Sequence, residues 1–510
     1  MLSGETTHIL RTERPRHLVR YFLIADFFYL ALVHAWGVGV RPLGRDFALL
    51  ENPAQLAWPL RSFVSAEVLF FGDIAPLYHV VNLALLFGCM AAVFFLTLRL
   101  VGGPVWLASL AAVLLMANPV KSEATLHLTG AADLLPAFLG LTAVACFVRH
   151  GQVRTARSGV VAWTLLVGAV LLFRENVCLA LPLVLHERMV VERRRSSRLR
   201  AAMLTALTLV ACGLYWSPDM WNALDPLRMF APLGLLPYPI GLLPETASQF
   251  HASPALAYGA LVLAIVFLVY LDRRVRAPVF TFAAASLFAV RLLRGGLDID
   301  PVHMTGGGAL IVPLGFFSIG VAALCRRIML HPRWPRPVVL LTTAICVLLF
   351  LLQVTSLVSW RRAARETARF QQQAYAFAAE HPEQMLGVLP DYRCLRGAPM
   401  NLSDAIAHDT PFSRSVHHMA LLPLHYPVRG KVSISVTAWE ARIGVVRIEG
   451  VPPAEVLPEP YAEDGHWRGP GTEMWLDNVT PAGFDVVIKA VGCLLPGRCL
   501  PISPPVQDSP

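Results

Sequence analysis

The sequence predicts a polytopic α-helical membrane protein of about eleven transmembrane helices, followed by a small β-rich domain outside the membrane. Three observations predict it. Hydrophobic residues make up 55% of the 510 residues and charged ones only 15%, too little charge for a soluble chain of this size. Apolar runs long enough to cross or nearly cross a bilayer recur from the N-terminus to about Val358. Beyond that point the composition shifts to short β-rich runs separated by Gly and Pro.

The runs lie at residues 18–36, 78–98, 105–116, 134–148, 160–173, 177–185, 201–216, 256–271, 279–290, 309–324 and 338–358. Several are short, so 160–185 is also readable as one kinked span. The first run has the basic flank RTERPRHLVR, has no small-residue cleavage site and is succeeded by further spans. It therefore reads as a retained first helix and not as a signal peptide. Basic clusters sit at 11–20, 149–157, 188–200, 273–276 and 326–336. About eleven alternating crossings put all of them on one side, which the positive-inside rule makes cytoplasmic. The net charge of +9 is then topological and does not signal nucleic-acid binding. The expected location is the bacterial inner membrane, multi-pass, with the N-terminus cytoplasmic. The connection 37–75, the loop around Asn118 and everything after Trp360 fall outside, in the periplasm.

Residues 1–358 are thus expected to form the transmembrane region. The segment SWRRAARETARFQQQAYAFAAEHPEQ, from Ser359, reads as an exposed helix over 359–381 that connects this region to the C-terminal part. Residues 382–501 read as a β-rich external domain, a sandwich being one arrangement, and 502–510 as a disordered tail. No repeat with a period of about 34 residues is present. Cys89, Cys146, Cys178, Cys212, Cys325 and Cys346 lie in or beside apolar runs, where packing is their ordinary role. Cys394, Cys493 and Cys499 fall in the external part, where an oxidising compartment would permit a bridge such as Cys493–Cys499; spacing alone leaves the pairing open. No cluster has zinc-ligand spacing.

The segment NPVKSEATLHLTGAADLL, from Asn118, places Lys121, Glu123, His127 and Asp133 between two strongly apolar stretches. Carboxylates near a membrane boundary are costly unless something charged or chemical uses them. The expected topology brings Asp46 and Glu51 of the first loop to the same face as Glu123 and Asp133. Arg174 and Glu175 sit at the next external turn, and Arg291, Arg294, Asp298, Asp300 and His303 at a later one. A carboxylate within reach of a hydroxyl can act as general base. Arginines beside it can hold and neutralise a phosphate. These are the parts needed to transfer a group from a phosphate-activated, lipid-linked donor. Each residue also has a plainer reading. A loop carboxylate is usually solvated, Asp133 can stabilise a helix N-terminus, and Arg174–Glu175 can be a local ion pair. Asp26, inside the first helix, is either a rival functional carboxylate or a polar helix–helix contact.

In this order the motifs resemble the C-type (GT-C) integral-membrane glycosyltransferases, above all the protein O-mannosyltransferase-like proteins that carry tetratricopeptide repeats. RDFALLENP resembles that family's first-loop acidic motif with Asn-Pro. WPLRSFVSAEVLFFGDIAPLYHVVNLALLF resembles its RPL segment and the helix start after it. NPVKSEATLHLTGAADLL resembles its HPvhtE…GRADLL, LLFRENVCLALPLVL its KE…lP helix, and LLPYPIGLLPETA its Pro/Leu-rich external segment. The likeness covers most of residues 18–358.

The resemblance implies a polyprenyl- or dolichyl-phosphate sugar as donor, mannose among the candidates, and an inverting transfer to a protein, lipid or polysaccharide hydroxyl. It makes Asp46 the catalytic base, with Glu123 and Asp133 orienting acceptor or sugar hydroxyls. Arg174 is the first choice for the donor phosphate, with Arg291, Arg294 and His303 as alternatives. Glu51, Tyr78, His79, Asn82 and Glu175 would shape the cavity. The leaving phosphate is already a stable anion, so a divalent metal is compatible with the chemistry but not required. The departures are Trp58 for the Arg of RPL, Asn118 for the His of HPv, Ala131 for the Arg of GRAD, a single first-loop acid after Arg45, and the missing repeats. They leave a second expectation open, a catalytically degenerate scaffold whose external β domain binds a protein or glycan partner. A transporter ranks last, for want of internal repeats.

Overall fold

The computed structural model describes residues 16–153, 155–189, 195–215, 282, 286, 307–330 and 335–380, then 386–388, 392–395, 398–401, 404–416, 419–421, 431–438, 443–449, 466–469, 472–480, 483–489, 493–495 and 500–501. The predicted runs at 256–271 and 279–290 fall outside the described residues, apart from Phe282 and Ser286. The chain divides into two compact units. One holds the described residues up to Gly39, Trp58–Leu60 and Pro76–Val358. The other holds Val40–Ala57, Arg61–Ala75 and the described residues from Ser359 onward.

The first unit is helical because its sequence is apolar over whole spans with few breakers. Its helices are α1 (Arg16–His34), α4 (Ala75–Leu100), α5 (Val105–Ala117), α6 (Ser122–Leu126), α7 (Ala131–Val153), α8 (Ala156–Leu172), α9 (Ala180–Met189), α10 (Arg195–Tyr215), α11 (Ile311–Met329) and the first part of α12 (Pro335–Glu380). Six spans among the described residues are long and apolar enough to cross a membrane: His17–His34, Ala75–Leu100, Leu128–Val153, Ser197–Tyr215, Gly308–Met329 and Arg336–Ala376. A seventh is added if Val105–Ala117 and Pro119–Leu126, bent by 50°, form one broken span. The protein is thus a multi-pass helical membrane protein. The run at 160–185 is not one helix: α8 ends at Leu172, a 3-10 turn covers Arg174–Leu179, and α9 comes after it.

Close approach of these helices rests on small residues, as expected where lipid competes with apolar packing. A β-carbon on Gly88 of α4 would lie 2.4 Å from the Phe138 ring of α7, and one on Gly315 of α11 would lie 2.9 Å from Val93. Polar contacts join helices as well. Ser109 of α5 donates to Asp26 of α1 at 2.6 Å, so Asp26 makes a polar helix–helix contact. The Tyr215 hydroxyl donates to the Leu171 carbonyl at 2.5 Å, and Arg326 donates to the Val101 carbonyl. Glu187 of α9 is buried, and the Arg200 guanidinium of α10 binds its Oε2 through two nitrogens at 2.9 and 3.1 Å.

In the second unit, α2 (Arg45–Glu51) and α3 (Leu60–Phe71) come from the first connection. The C-terminal part contributes α13 (Asp404–Ala407) and strands β1 (Leu386–Val388), β2 (Tyr392–Leu395), β3 (Ala398–Asn401), β4 (Met419–Leu421), β5 (Lys431–Ala438), β6 (Ile443–Glu449), β7 (His466–Gly469), β8 (Thr472–Thr480), β9 (Gly483–Lys489), β10 (Cys493–Leu495) and β11 (Leu500–Pro501). Five of them form an antiparallel sheet in the order β5-β6-β9-β8-β7. A second sheet runs β11-β10-β1-β4, with β1 parallel to both neighbours, and β2 pairs with β3. Asn478, at φ 47°, sits at the register shift between β8 and β9 and donates to Asp485 at 2.7 Å.

The segment after Val358 is helical, exposed along one face and packed along the other. Residues 359–380 continue α12 without a break, and Trp360, Ala363, Ala364, Thr367, Phe370, Gln371 and Ala374 are buried. These positions keep the helical period, so one face packs while the arginines occupy the other. Gln371 donates to the Ala405 carbonyl at 2.8 Å, and the Arg414 amide donates to the Tyr375 hydroxyl at 2.7 Å, which ties residues 404–416 to this helix.

Removing one member of a buried ion pair strands the other, at a cost of about 3–5 kcal/mol. Arg200→Met should therefore lower the thermal midpoint in detergent, and Glu187→Gln added to it should recover much of the loss.

Candidate functional site

The polar segment between α5 and α7 is not a solvated loop. Every residue from Asn118 to Leu134 is buried. The chain passes through a 3-10 turn at Pro119–Lys121, the short α6, a second 3-10 turn at Leu128–Gly130, and then α7. Local chemistry sets the first break. Proline at 119 lacks an amide proton, and the Asn118 side chain accepts from the Val120 amide at 3.0 Å.

Backbone groups freed by these breaks are met by α4. Asn82 donates to the His127 carbonyl at 2.8 Å, and His79 Nδ1 lies 3.4 Å from the Thr125 carbonyl. Three of the predicted cavity residues, Tyr78, His79 and Asn82, are therefore buried together on one stretch of α4, two of them gripping this connection. Gly130 is required there, because a β-carbon would lie 1.9 Å from the Ala124 carbonyl oxygen.

The connection carries both of the second-loop carboxylates. Glu123 on α6 lies 3.9 Å from His127 Nε2, and both side chains are buried. Asp133 occupies the first turn of α7, as its dipole-stabilising reading requires. It also packs against the 3-10 turn Gly307–Leu310, where a β-carbon on Gly308 would lie 2.5 Å from Asp133 Oδ2 and 3.2 Å from Ala124. Asp133 and α6 are thereby brought together against Gly308.

Sequence reasoning missed the partners of Lys121. Its ammonium is fully buried, 3.1 Å from His34 Nε2 at the end of α1. Next to it, Ser122 donates to Gln353 of α12 at 3.4 Å and accepts from Ser356 at 3.1 Å. His34 interrupts the apolar run ALVHAW, a signal the sequence did carry.

In the second unit, Asp46 is fully buried in the first turn of α2, and its Oδ2 accepts from the Leu43 amide at 3.1 Å. Glu51, at the other end of α2, is exposed and bound on both oxygens. Oε1 accepts from the Asp409 amide at 2.9 Å, and Oε2 lies 2.5 Å from His408 Nδ1. The Asp409 amide and then His408 hold its carboxyl below the usual carboxylate range. Glu51 thus fastens α2 to residues 404–416.

Arg174 and Glu175 open the 3-10 turn after α8, which Asn176 anchors by donating to the Pro136 carbonyl at 2.9 Å. Arg291, Arg294 and His303 lie outside the described residues, as do Asp298 and Asp300. Among the described residues no group of three or more His, Cys, Asp or Glu side chains is placed to hold a metal ion.

Another carboxylate emerges on α3. Glu67 is buried, and neither of its oxygens has a hydrogen-bond partner among the described residues. A lone acid inside FVSAEVLFF was visible in the sequence, but its burial was not. That burial pushes its carboxyl up from 4.5 to about 8.

No protein-family model matches the chain, and no curated protein sequence matches it. Among solved structures it is similar to an archaeal oligosaccharyltransferase, AglB from Archaeoglobus fulgidus, determined with an inhibitory peptide and a dolichol-phosphate. Identity is 11% and the TM-score 0.37, and the match covers 73% of this chain and 62% of that one. The chain therefore spans less than two thirds of that enzyme's length, and a likeness of this size assigns no family.

Three substitutions probe these carboxylates. Gly308→Ala should displace the Asp133 carboxylate, and Gly308→Ser, larger still, should do so more. The two Gly308 variants are read as stepwise loss of any activity that depends on Asp133, with the spans intact by circular dichroism. For Glu67 the folded state holds a proton that the unfolded chain releases near 4.5, so stability falls as pH rises from 4.5 to about 8. Glu67→Gln should flatten that slope in thermal midpoints measured across the same window.

Proposed function

We propose that this protein is a membrane glycosyltransferase of the GT-C type. It would move a sugar from a polyprenyl-phosphate donor to an acceptor hydroxyl on the outer face of the membrane, with inversion. The observation that carries the reading is the wholly buried connection Asn118–Leu134. It keeps Glu123 and Asp133 inside a helical membrane unit, where unused carboxylates are costly. The ordered motifs over residues 18–358 support the same reading, with mannose among the candidate sugars.

In this mechanism Asp46 removes the proton from the acceptor hydroxyl as its oxygen attacks C1 of the sugar. The bond from C1 to the phosphate oxygen breaks, and the polyprenyl phosphate leaves as an anion. Asp46 then returns its proton to water. The bond from Leu43 holds the Asp46 side chain in one orientation, a requirement for a base that must meet a hydroxyl at hydrogen-bond distance. Glu123 and Asp133 would orient sugar or acceptor hydroxyls. Arg174, with Arg291, Arg294 and His303 as alternatives, would neutralise the phosphate. A protein, a lipid or a polysaccharide would serve as acceptor.

Two observations favour a second reading, the non-catalytic scaffold. Asn118, where the resemblance expects His, caps a turn, and Glu51 fastens two segments together. Polar groups of the motif are then structural. A purified protein that neither binds nor consumes a polyprenyl-phosphate sugar, yet holds a stable partner through its C-terminal part, would establish that alternative.

Asparagine accepts the Leu43 bond as aspartate does but is no base. Asp46→Asn should therefore lower sugar transfer by about 10²- to 10⁴-fold with the thermal midpoint unchanged. Unaltered turnover would remove Asp46 from the role of base.

A further inference from the structure

The two faces of α12 give a second molecular surface. On a period of 3.6 residues, the exposed side chains Leu340, Val347, Leu351 and Val358 fall along one line. The same line continues through Arg362, Arg365 and Arg369, all exposed. The opposite face is occupied by Trp360, Ala363, Thr367, Phe370 and Ala374, which are buried. One exposed stripe of a single helix therefore changes from aliphatic to arginine just past Val358.

Position along the axis gives that change its meaning. From Val339 to Val358 is about 30 Å of helix, the thickness of the hydrocarbon core. Arg362 and Arg365 then lie about 6 and 10 Å beyond its edge, and arginine stems reach back along the helix to place the guanidinium among the head groups. Arg362 pairs with Glu366 at 3.4 Å, and both are solvent-exposed. Among the described residues Arg365 and Arg369 make no ion pair. The stripe is left with an excess of positive charge, presented on the side where the aliphatic residues meet lipid.

We propose that Arg362, Arg365 and Arg369 form a binding surface for the head groups of anionic phospholipids. Guanidinium groups can bind a lipid phosphate by two parallel hydrogen bonds, and the excess positive charge gives the preference for a head group of net negative charge. The occupant is a bilayer phospholipid and not the sugar donor, so the surface stands whether or not the protein transfers a sugar.

The test uses full-length protein equilibrated in detergent with equal amounts of phosphatidylglycerol and phosphatidylcholine, the retained lipids being counted by mass spectrometry. The wild type should retain phosphatidylglycerol preferentially. The R362Q/R365Q/R369Q variant should lose at least about fivefold of that preference, each arginine near the surface being worth about 1 kcal/mol. The triple Lys variant, which keeps the charge, should retain most of it. These side chains are exposed, and an unchanged thermal midpoint verifies the fold of each variant. A triple Gln variant that keeps the wild-type preference, or a wild type without one, overturns the proposal.

Discussion

The need to satisfy backbone polar groups without water governs the membrane unit. Between Ala117 and Ala131 the chain leaves the α-helical ladder repeatedly while every residue stays buried. Such backbone is tolerated at that depth only when protein supplies the missing partners. Here Asn118 serves its own turn, and Asn82 and His79 of α4 serve the carbonyls of His127 and Thr125. The polar side chains of α4 are therefore part of the fold before they are part of any site. Glu123 and Asp133 owe their placement to that arrangement, and Gly130 and Gly308 give them the room.

The second unit handles its carboxylates differently. Asp46 and Glu51 lie at opposite ends of one short helix, one buried and tied to its own entry turn, the other exposed and tied to a distant segment. Each bond to a carboxylate oxygen also fixes its direction. A carboxylate held this way fastens the backbone it binds and keeps a single orientation.

Helix α12 shows how far a single element can change character. Its first part is exposed through leucine and valine, its second through arginine, and its packed face runs through both. Local composition divides it at Val358 into an apolar run and a soluble-looking helix. Helical hydrogen bonding is indifferent to that change, because alanine, arginine, glutamate and glutamine propagate a helix as well as leucine does.

Much of the architecture was legible in sequence. Apolar runs of membrane length specify spans, since a backbone crossing lipid as a single segment satisfies its polar groups only as a helix, and α1, α4, α7, α10 and α11 lie where those runs do. The short runs 105–116 and 160–173 end within two residues of the helix ends at Ala117 and Leu172, but hydropathy alone left 160–185 readable as one span as well. Residue types pointed to Glu123, Asp133 and Asp46 as candidates, but not to their burial or their partners. The pairing of Lys121 with His34, of Ser122 with Gln353 and of Glu51 with residues 408–409 joins positions tens to hundreds of residues apart. Sequence by itself determined which segments are apolar enough to span and which carry charge, because these depend on composition over a window. Tertiary structure decided which of the charged residues are enclosed and what they touch, because enclosure depends on helices that are distant in the chain.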